Sequence, residues 1–171
     1  LMNTNVSHAI EAFRGGLPVI VCDDDDRENE ADIILSAQLA TPHWIGWTIA
    51  HTSGLLCAPM THDVANRLEL PAMVADNRDP KGTAYTVTVD ARDGIGTGIG
   101  AADRTHTLNL LASPHAGAAE FVRPGHVLPL RAHPDGLLRR RGHTEAAIAL
   151  CDMAGLAPVG AIAELVGADG E

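Results

Sequence analysis

Apolar positions recur at helical spacing near the start of the chain. Val6, Ile10 and Phe13 fall on one face, and Gly15-Gly16 ends the run. Two short apolar runs follow, residues 18–22 and 32–37, which read as buried strands. Thr41-Pro42 has the form of an N-cap followed by proline at N1, and predicts a helix to about residue 50. Residues 55–58 read as a strand, and Thr61 caps a short helix carrying Val64 and Leu68. After a polar loop at 76–82, Tyr85, Val87 and Val89 alternate with Thr86, Thr88 and Asp90, the period of a half-buried strand. Glycine stands at every second position from Gly94 to Gly100, and a helix over 101–112 follows. The remaining pattern predicts a loop and strand over 124–132, a helix over 144–154 stopped by Gly155, and a last strand over 161–166. Helices and strands mix without strict βαβ regularity, so the expectation is an α+β fold, a mixed β-sheet covered by helices.

Composition narrows the function classes. At 171 residues and 46% hydrophobic, the chain is long enough for one domain, residues 1–171, with a real core. With two Trp, two Phe and one Tyr, that core must be aliphatic. A net charge of −10 argues against a nucleic-acid backbone or an anionic membrane as partner. Cys22, Cys57 and Cys151 show no metal or disulfide spacing and fit a reducing cytoplasm. No apolar run is long enough to span a bilayer, and the most apolar stretch, 156–168, is broken by Pro158 and Glu164.

Charge is concentrated where the apolar pattern breaks. Asp23, Asp24, Asp25, Asp26, Glu28, Glu30 and Asp32 crowd between the first two strands, with Arg27 among them. Carboxylates so placed read as a divalent-metal site, a clamp for substrate hydroxyls, or a charged surface turn. The missing glycine disfavours an EF-hand. Asp24 and Asp26 mimic the Asp-x-Asp pair of a HAD-type phosphatase. The loop Gly94-Ile95-Gly96-Thr97-Gly98-Ile99-Gly100 reads either as a phosphate cradle with Thr97 or as a flexible connection; it is neither a P-loop nor G-x-G-x-x-G. In Arg139-Arg140-Arg141-Gly142-His143-Thr144-Glu145, the arginines and a helix N-terminus capped by Thr144 would converge on an anion beside His143. His126 and Glu164 are isolated polar residues, and Glu164 within a buried strand would be costly unless paired or functional.

These motifs occur in one order: Asp23 to Asp32; His51-Thr52-Ser53-Gly54-Leu55-Leu56-Cys57; Gly82-Thr83-Ala84-Tyr85; Thr97-Gly98-Ile99-Gly100-Ala101-Ala102-Asp103-Arg104; Arg123-Pro124-Gly125-His126; and Arg140-Arg141-Gly142-His143-Thr144-Glu145. In that order the chain resembles the 3,4-dihydroxy-2-butanone 4-phosphate synthases, including the N-terminal half of bifunctional members fused to GTP cyclohydrolase II. The resemblance implies that family's fold and its reaction in riboflavin biosynthesis: D-ribulose 5-phosphate becomes L-3,4-dihydroxy-2-butanone 4-phosphate and formate, with Mg²⁺ or Mn²⁺. It implies Glu28 and His143 as metal ligands. Arg27, Thr97, Arg140, Gly142 and Thr144 would bind substrate, as would Asp32 and Glu164. Asp32, His126 and Glu164 would act in proton transfer, and Cys57 would line the catalytic pocket. It also implies a homodimer with active sites at the interface.

Three departures bear on this. The family usually has Gly where Ala31 stands, which would be strained if that position needs φ > 0. Two hydroxyls of the family's Thr-Thr-Gly-x-Ser are replaced by Gly96 and Gly100. The family pattern continues beyond the position of Glu171, which implies a chain trimmed at its C-terminal side. The rival expectations are a catalytically silent domain kept for dimerisation or scaffolding, supported by these substitutions, and a HAD-like phosphatase.

Overall fold

The computed structural model describes residues 4–167. Five α-helices and six strands alternate in the order α1 (Thr4–Arg14), β1 (Val19–Cys22), β2 (Ala31–Ser36), α2 (Pro42–His51), β3 (Cys57–Met60), α3 (His62–Arg67), β4 (Val89–Ala91), α4 (Ala101–Ala112), β5 (Phe121–Arg131), α5 (His143–Ala154) and β6 (Gly160–Glu164). The strands form one mixed sheet in the order β1-β2-β6-β3-β5-β4. Only β3 and β5 are parallel neighbours; the other pairings are antiparallel. The α+β expectation is met.

The period-2 alternation of β2 divides the core. Ile33 and Leu35 face a layer built with Ile45 of α2, Val64 of α3 and Leu108 and Leu111 of α4. Ile34 faces the opposite layer, with Ile10 and Phe13 of α1 and Leu150 and Cys151 of α5. Asp32 shares the parity of Ile34 and so opens toward the α1/α5 side. Glu164, its direct partner across β6, opens the same way.

Local signals behave largely as the chain pattern predicts. Thr41 accepts from Trp44 N–H at the start of α2, and Thr61 accepts from Val64 N–H at the start of α3. Gly155 stops α5 in the left-handed conformation, φ 71° and ψ 33°. Four expectations need correction. The alternating segment at 85–90 is not a regular strand before Val89: Tyr85 and Thr86 make only isolated bridges. Thr86 N–H donates to Pro129 O at 3.0 Å, but Pro129 has no N–H to return, so no regular ladder forms there. The strand expected at 55–58 begins at Cys57. The cap of α5 is Gly142, with His143 and Thr144 already inside the first turn. Glu164 lies at the exposed end of β6 rather than within its buried stretch.

Candidate active site

The ends of β2, β3, β5 and β6 and the first turn of α5 converge on a cavity of about 180 Å³. Its floor follows from sheet register: Asp32 is paired with Glu164, and Cys57 with both Ile162 and Leu128. Arg27, Glu28 and Glu30 of the acidic loop, and Arg140, His143 and Thr144, line the rest with Thr83, Tyr85, Ser53 and Leu55.

The acidic loop is held by its first member. Asp23 accepts N–H bonds from Glu28 at 3.1 Å and Glu30 at 2.9 Å, and a 2.7 Å ion pair from Arg27. Burial of Asp23 opposes ionisation, but the Glu30 N–H, the Arg27 guanidinium and the Glu28 N–H outweigh it and hold the carboxyl down at about 2. Asn29 takes the left-handed turn, φ 57°. Ala31 is not among the residues with positive φ and opens β2 in register with Cys22, so its methyl carries no left-handed strain. Asp24 pairs with Arg141 at 3.4 Å on the surface, and neither Asp24 nor Asp26 lines the cavity. That removes the geometric basis for a phosphatase-like Asp-x-Asp pair.

Asp32 and His143 meet at the cavity's base. Burial, then the charges of Glu164, Glu28 and Glu30, push the Asp32 carboxyl up to about 7. It can therefore take or give a proton near neutral pH. Burial also pushes the His143 imidazole below its usual value, favouring the neutral ring. His143 Nδ1 lies 3.5 Å from Asp32 Oδ1, while Nε2 is buried with no hydrogen-bond partner. A ring whose Nδ1–H faces a carboxylate and whose Nε2 lone pair is orphaned fits a metal ligand.

Glu28 supplies a second donor beside it; its Oε2 accepts from Arg27 Nη1 at 2.6 Å. No three His, Cys, Asp or Glu side chains among the described residues already form a metal-holding group. Mg²⁺ is commonly held by only one or two protein ligands, with substrate oxygens and water completing the shell, and Glu28 with His143 fits that donor set.

Basic groups line the cavity beside these carboxylates. Arg140 donates to Glu145 at 2.8 Å and to Thr83 Oγ1 at 3.2 Å. Gly142 sits between the arginines: a Cβ there would lie 2.9 Å from Glu145 Oε2 and 3.0 Å from Arg27 Nη2, so a side chain there would displace these charged ends. The first-turn amides of α5 and the buried Thr144 add donors at the positive end of the helix. Cys57 is buried, and burial pushes its thiol up to about 12, so it lines the pocket as a neutral thiol.

Two residues that the family resemblance implicates lie elsewhere. Thr97 and His126 do not line this cavity. They belong to a second cluster, where the Gly98 backbone packs on His126 and Asp90. Gly100 is the N-cap of α4, without a side-chain cap bond, so the hydroxyl missing there is a helix-capping group. Asp90, Thr83 and Ser53 carry no isolated sequence signal. Thr83 is marked in the sequence only by its place in the Gly82-Thr83-Ala84-Tyr85 motif.

Known proteins resemble this chain along nearly its whole length. The family pattern of 3,4-dihydroxy-2-butanone 4-phosphate synthase matches residues 7–171. The riboflavin biosynthesis protein RibBA of Salinispora arenicola is 55% identical over 165 residues, covering 96% of this chain and 39% of its own length. RibBA of Mycobacterium tuberculosis is 55% identical over 162 residues, covering 95% of this chain and 38% of its own. The chain thus spans well under half of these relatives. A crystal structure of 3,4-dihydroxy-2-butanone 4-phosphate synthase in complex with two magnesium ions superposes with a TM-score of 0.93 at 49% identity, over 94% of this chain and 75% of that one. From the order of its motifs, the sheet that carries them and these matches, the chain belongs to the 3,4-dihydroxy-2-butanone 4-phosphate synthase family.

Proposed function

We propose that this chain converts D-ribulose 5-phosphate to L-3,4-dihydroxy-2-butanone 4-phosphate and formate, a carbon–carbon lyase reaction of riboflavin biosynthesis. The observation that carries the reading is a buried His143 whose Nδ1 lies 3.5 Å from Asp32, itself pushed up to about 7, while its Nε2 has no partner, in a cavity also lined by Arg27 and Arg140. A sugar phosphate fits that polarity: oxygens toward the acidic side, phosphate toward Arg27, Arg140, Thr144 and the α5 N-terminus.

Glu28 and His143 hold the divalent ion in this reading; a related synthase is described with two magnesium ions. Mg²⁺ or Mn²⁺, when bound, polarises adjacent sugar oxygens and acidifies the C3 proton. Asp32 orients hydroxyls and passes protons, and Glu164, facing it across the β2–β6 pair, takes part in the same proton transfers. Enediol formation, loss of water, a 1,2-carbon shift and rehydration then allow C4 to leave as formate. Cys57, Leu55 and Tyr85 limit water access to the reacting carbons.

The working form is a homodimer in which Thr97 and His126 of one copy complete the cavity of the other. Both residues are exposed in the single chain, and Leu55 and Ile99 near these two regions are also more than half exposed. The three free cysteines suit a reducing cytoplasm. The purified chain, given D-ribulose 5-phosphate and Mg²⁺, is expected to release formate, and EDTA is expected to abolish it. Folded, dimeric protein that releases none would favour the silent scaffold instead.

A further inference from the structure

The region around His126 holds a second built arrangement. Strands β4 and β5 change register between Val89 and Asp90: Val89 pairs with Val127, but Asp90 pairs with Val122. Residues 123–126 therefore bulge out of the ladder, and His126 is carried on the bulge. The Gly125 N–H donates to Thr88 Oγ1 at 3.0 Å. Asp90, only 5% exposed, engages His126 with both carboxylate oxygens. Oδ1 accepts the backbone N–H at 2.8 Å, and Oδ2 meets ring Nδ1 at 2.6 Å.

A glycine closes over this pair. At Gly98, φ +90°, a Cβ would lie 2.7 Å from both His126 Nδ1 and Asp90 Cγ. The Gly98 N–H is tied down by Asp103 Oδ2 at 3.0 Å. The Nδ1 side of the ring is thus covered, while the His126 side chain as a whole remains 40% exposed. Nε2 is the ring nitrogen that Asp90 does not engage.

We propose that Asp90 is a positioning residue for the reaction: it fixes His126 in the tautomer with the proton on Nδ1 and presents Nε2 as the proton acceptor. The inference rests on the role given to His126 above. An ionised carboxylate only accepts, so Nδ1 facing Asp90 carries the hydrogen, and the neutral ring then has its lone pair on Nε2. The backbone bond from His126 to the same carboxylate removes the freedom of Asp90 to swing away. Gly98 belongs to the device because any side chain at that position would part the pair. The Gly-rich loop therefore serves here as the lid of an Asp–His pair, a use distinct from cradling phosphate.

Asp90→Asn separates this role from a purely structural one. The amide retains an oxygen for the backbone N–H, but its NH₂ donates toward Nδ1 and drives the ring proton to Nε2. The expected result is kcat reduced by ~10²- to 10⁴-fold, the contribution typical of a positioned acid–base group, with KM little changed and the fold intact. The ¹⁵N spectrum of His126 should show Nδ1–H in the parent protein and Nε2–H in the variant. His126→Gln is assayed alongside. If His126→Gln is inactive while Asp90→Asn keeps parental kcat, the positioning role is overturned and the His126 reading stands. If His126→Gln itself turns over normally, the His126 reading fails and the inference falls with it. Should Asp90→Asn fail to fold, the parental spectrum decides alone, because an Nε2–H tautomer there would contradict the assignment.

Discussion

Glu145, with its side chain 1% exposed, accepts 2.8 Å hydrogen bonds from Arg140 Nη1 and from the backbone N–H of His133. A buried carboxylate thereby aims an arginine at the cavity and anchors the turn before α5. Removing one member of such a pair leaves the other charge poorly compensated. Glu145→Ala is expected to cost about 3–5 kcal/mol in urea unfolding and to weaken sugar-phosphate binding. Glu145→Gln, which keeps an acceptor for His133 N–H, should lose less. Equal losses in the two variants would show that the charge contributes nothing.

The homodimer reading makes a quantitative prediction. Glu28→Gln and His126→Gln should each be inactive alone. In a mixed dimer, one of the two sites draws intact Glu28 from one copy and intact His126 from the other. Unfolding and refolding an equimolar mixture should give half mixed dimers, and so recover about a quarter of parental formate release. No recovery, with mixed dimers demonstrated by mass spectrometry, would place both residues in a site within one chain.

Metal binding should be visible without turnover. An ion that binds only the folded state raises Tm by mass action. Mn²⁺ is expected to raise the Tm of the parent chain but not of His143→Ala or Glu28→Gln, while both variants remain folded in EDTA. A parental shift retained in either variant would move the ion away from that residue.

The acidic loop should also shape acid stability. Asp23 is held at about 2 in the fold against an ordinary 3.8, so its contribution is fully present above the ordinary value. That contribution is lost as pH falls through about 2. The Tm difference between the parent and Asp23→Asn, measured in EDTA, should therefore be constant above about pH 5 and shrink toward pH 2. A difference that grows on acidification would reverse the sign assigned to this carboxylate.

Much of the site was legible because its signals are local. The acidic loop, the arginine turn and the glycine stops of α1 and α5 announce themselves through residue type and spacing, and α4 spans the residues that its pattern predicts, Ala101–Ala112. What was hidden depends on register. That Asp32 faces Glu164 is a property of the β2–β6 ladder, and Glu164 read alone looked like a costly buried charge. The Asp90–His126 pair exists because β5 bulges, which neither segment encodes by periodicity. The strand expected through Tyr85 and Val87 failed for a related reason: its neighbour offers Pro129, which accepts a hydrogen bond but cannot donate one. The glycine spacing around Thr97 left a phosphate cradle and a flexible connection both open, and within one chain the neighbouring Gly98 packs over His126 and Asp90.

Excision of one carbon from a pentulose phosphate, as proposed above, carries a signature in where a carbon label ends up. The most direct test is D-ribulose 5-phosphate labelled with ¹³C at C4, incubated with the purified chain and Mg²⁺ and followed by NMR. The label is expected in formate, the four-carbon phosphate product is expected to be unlabelled, and both should be absent in EDTA or with Asp32→Asn. Label retained in a five-carbon product, or release of inorganic phosphate in place of formate, would contradict it.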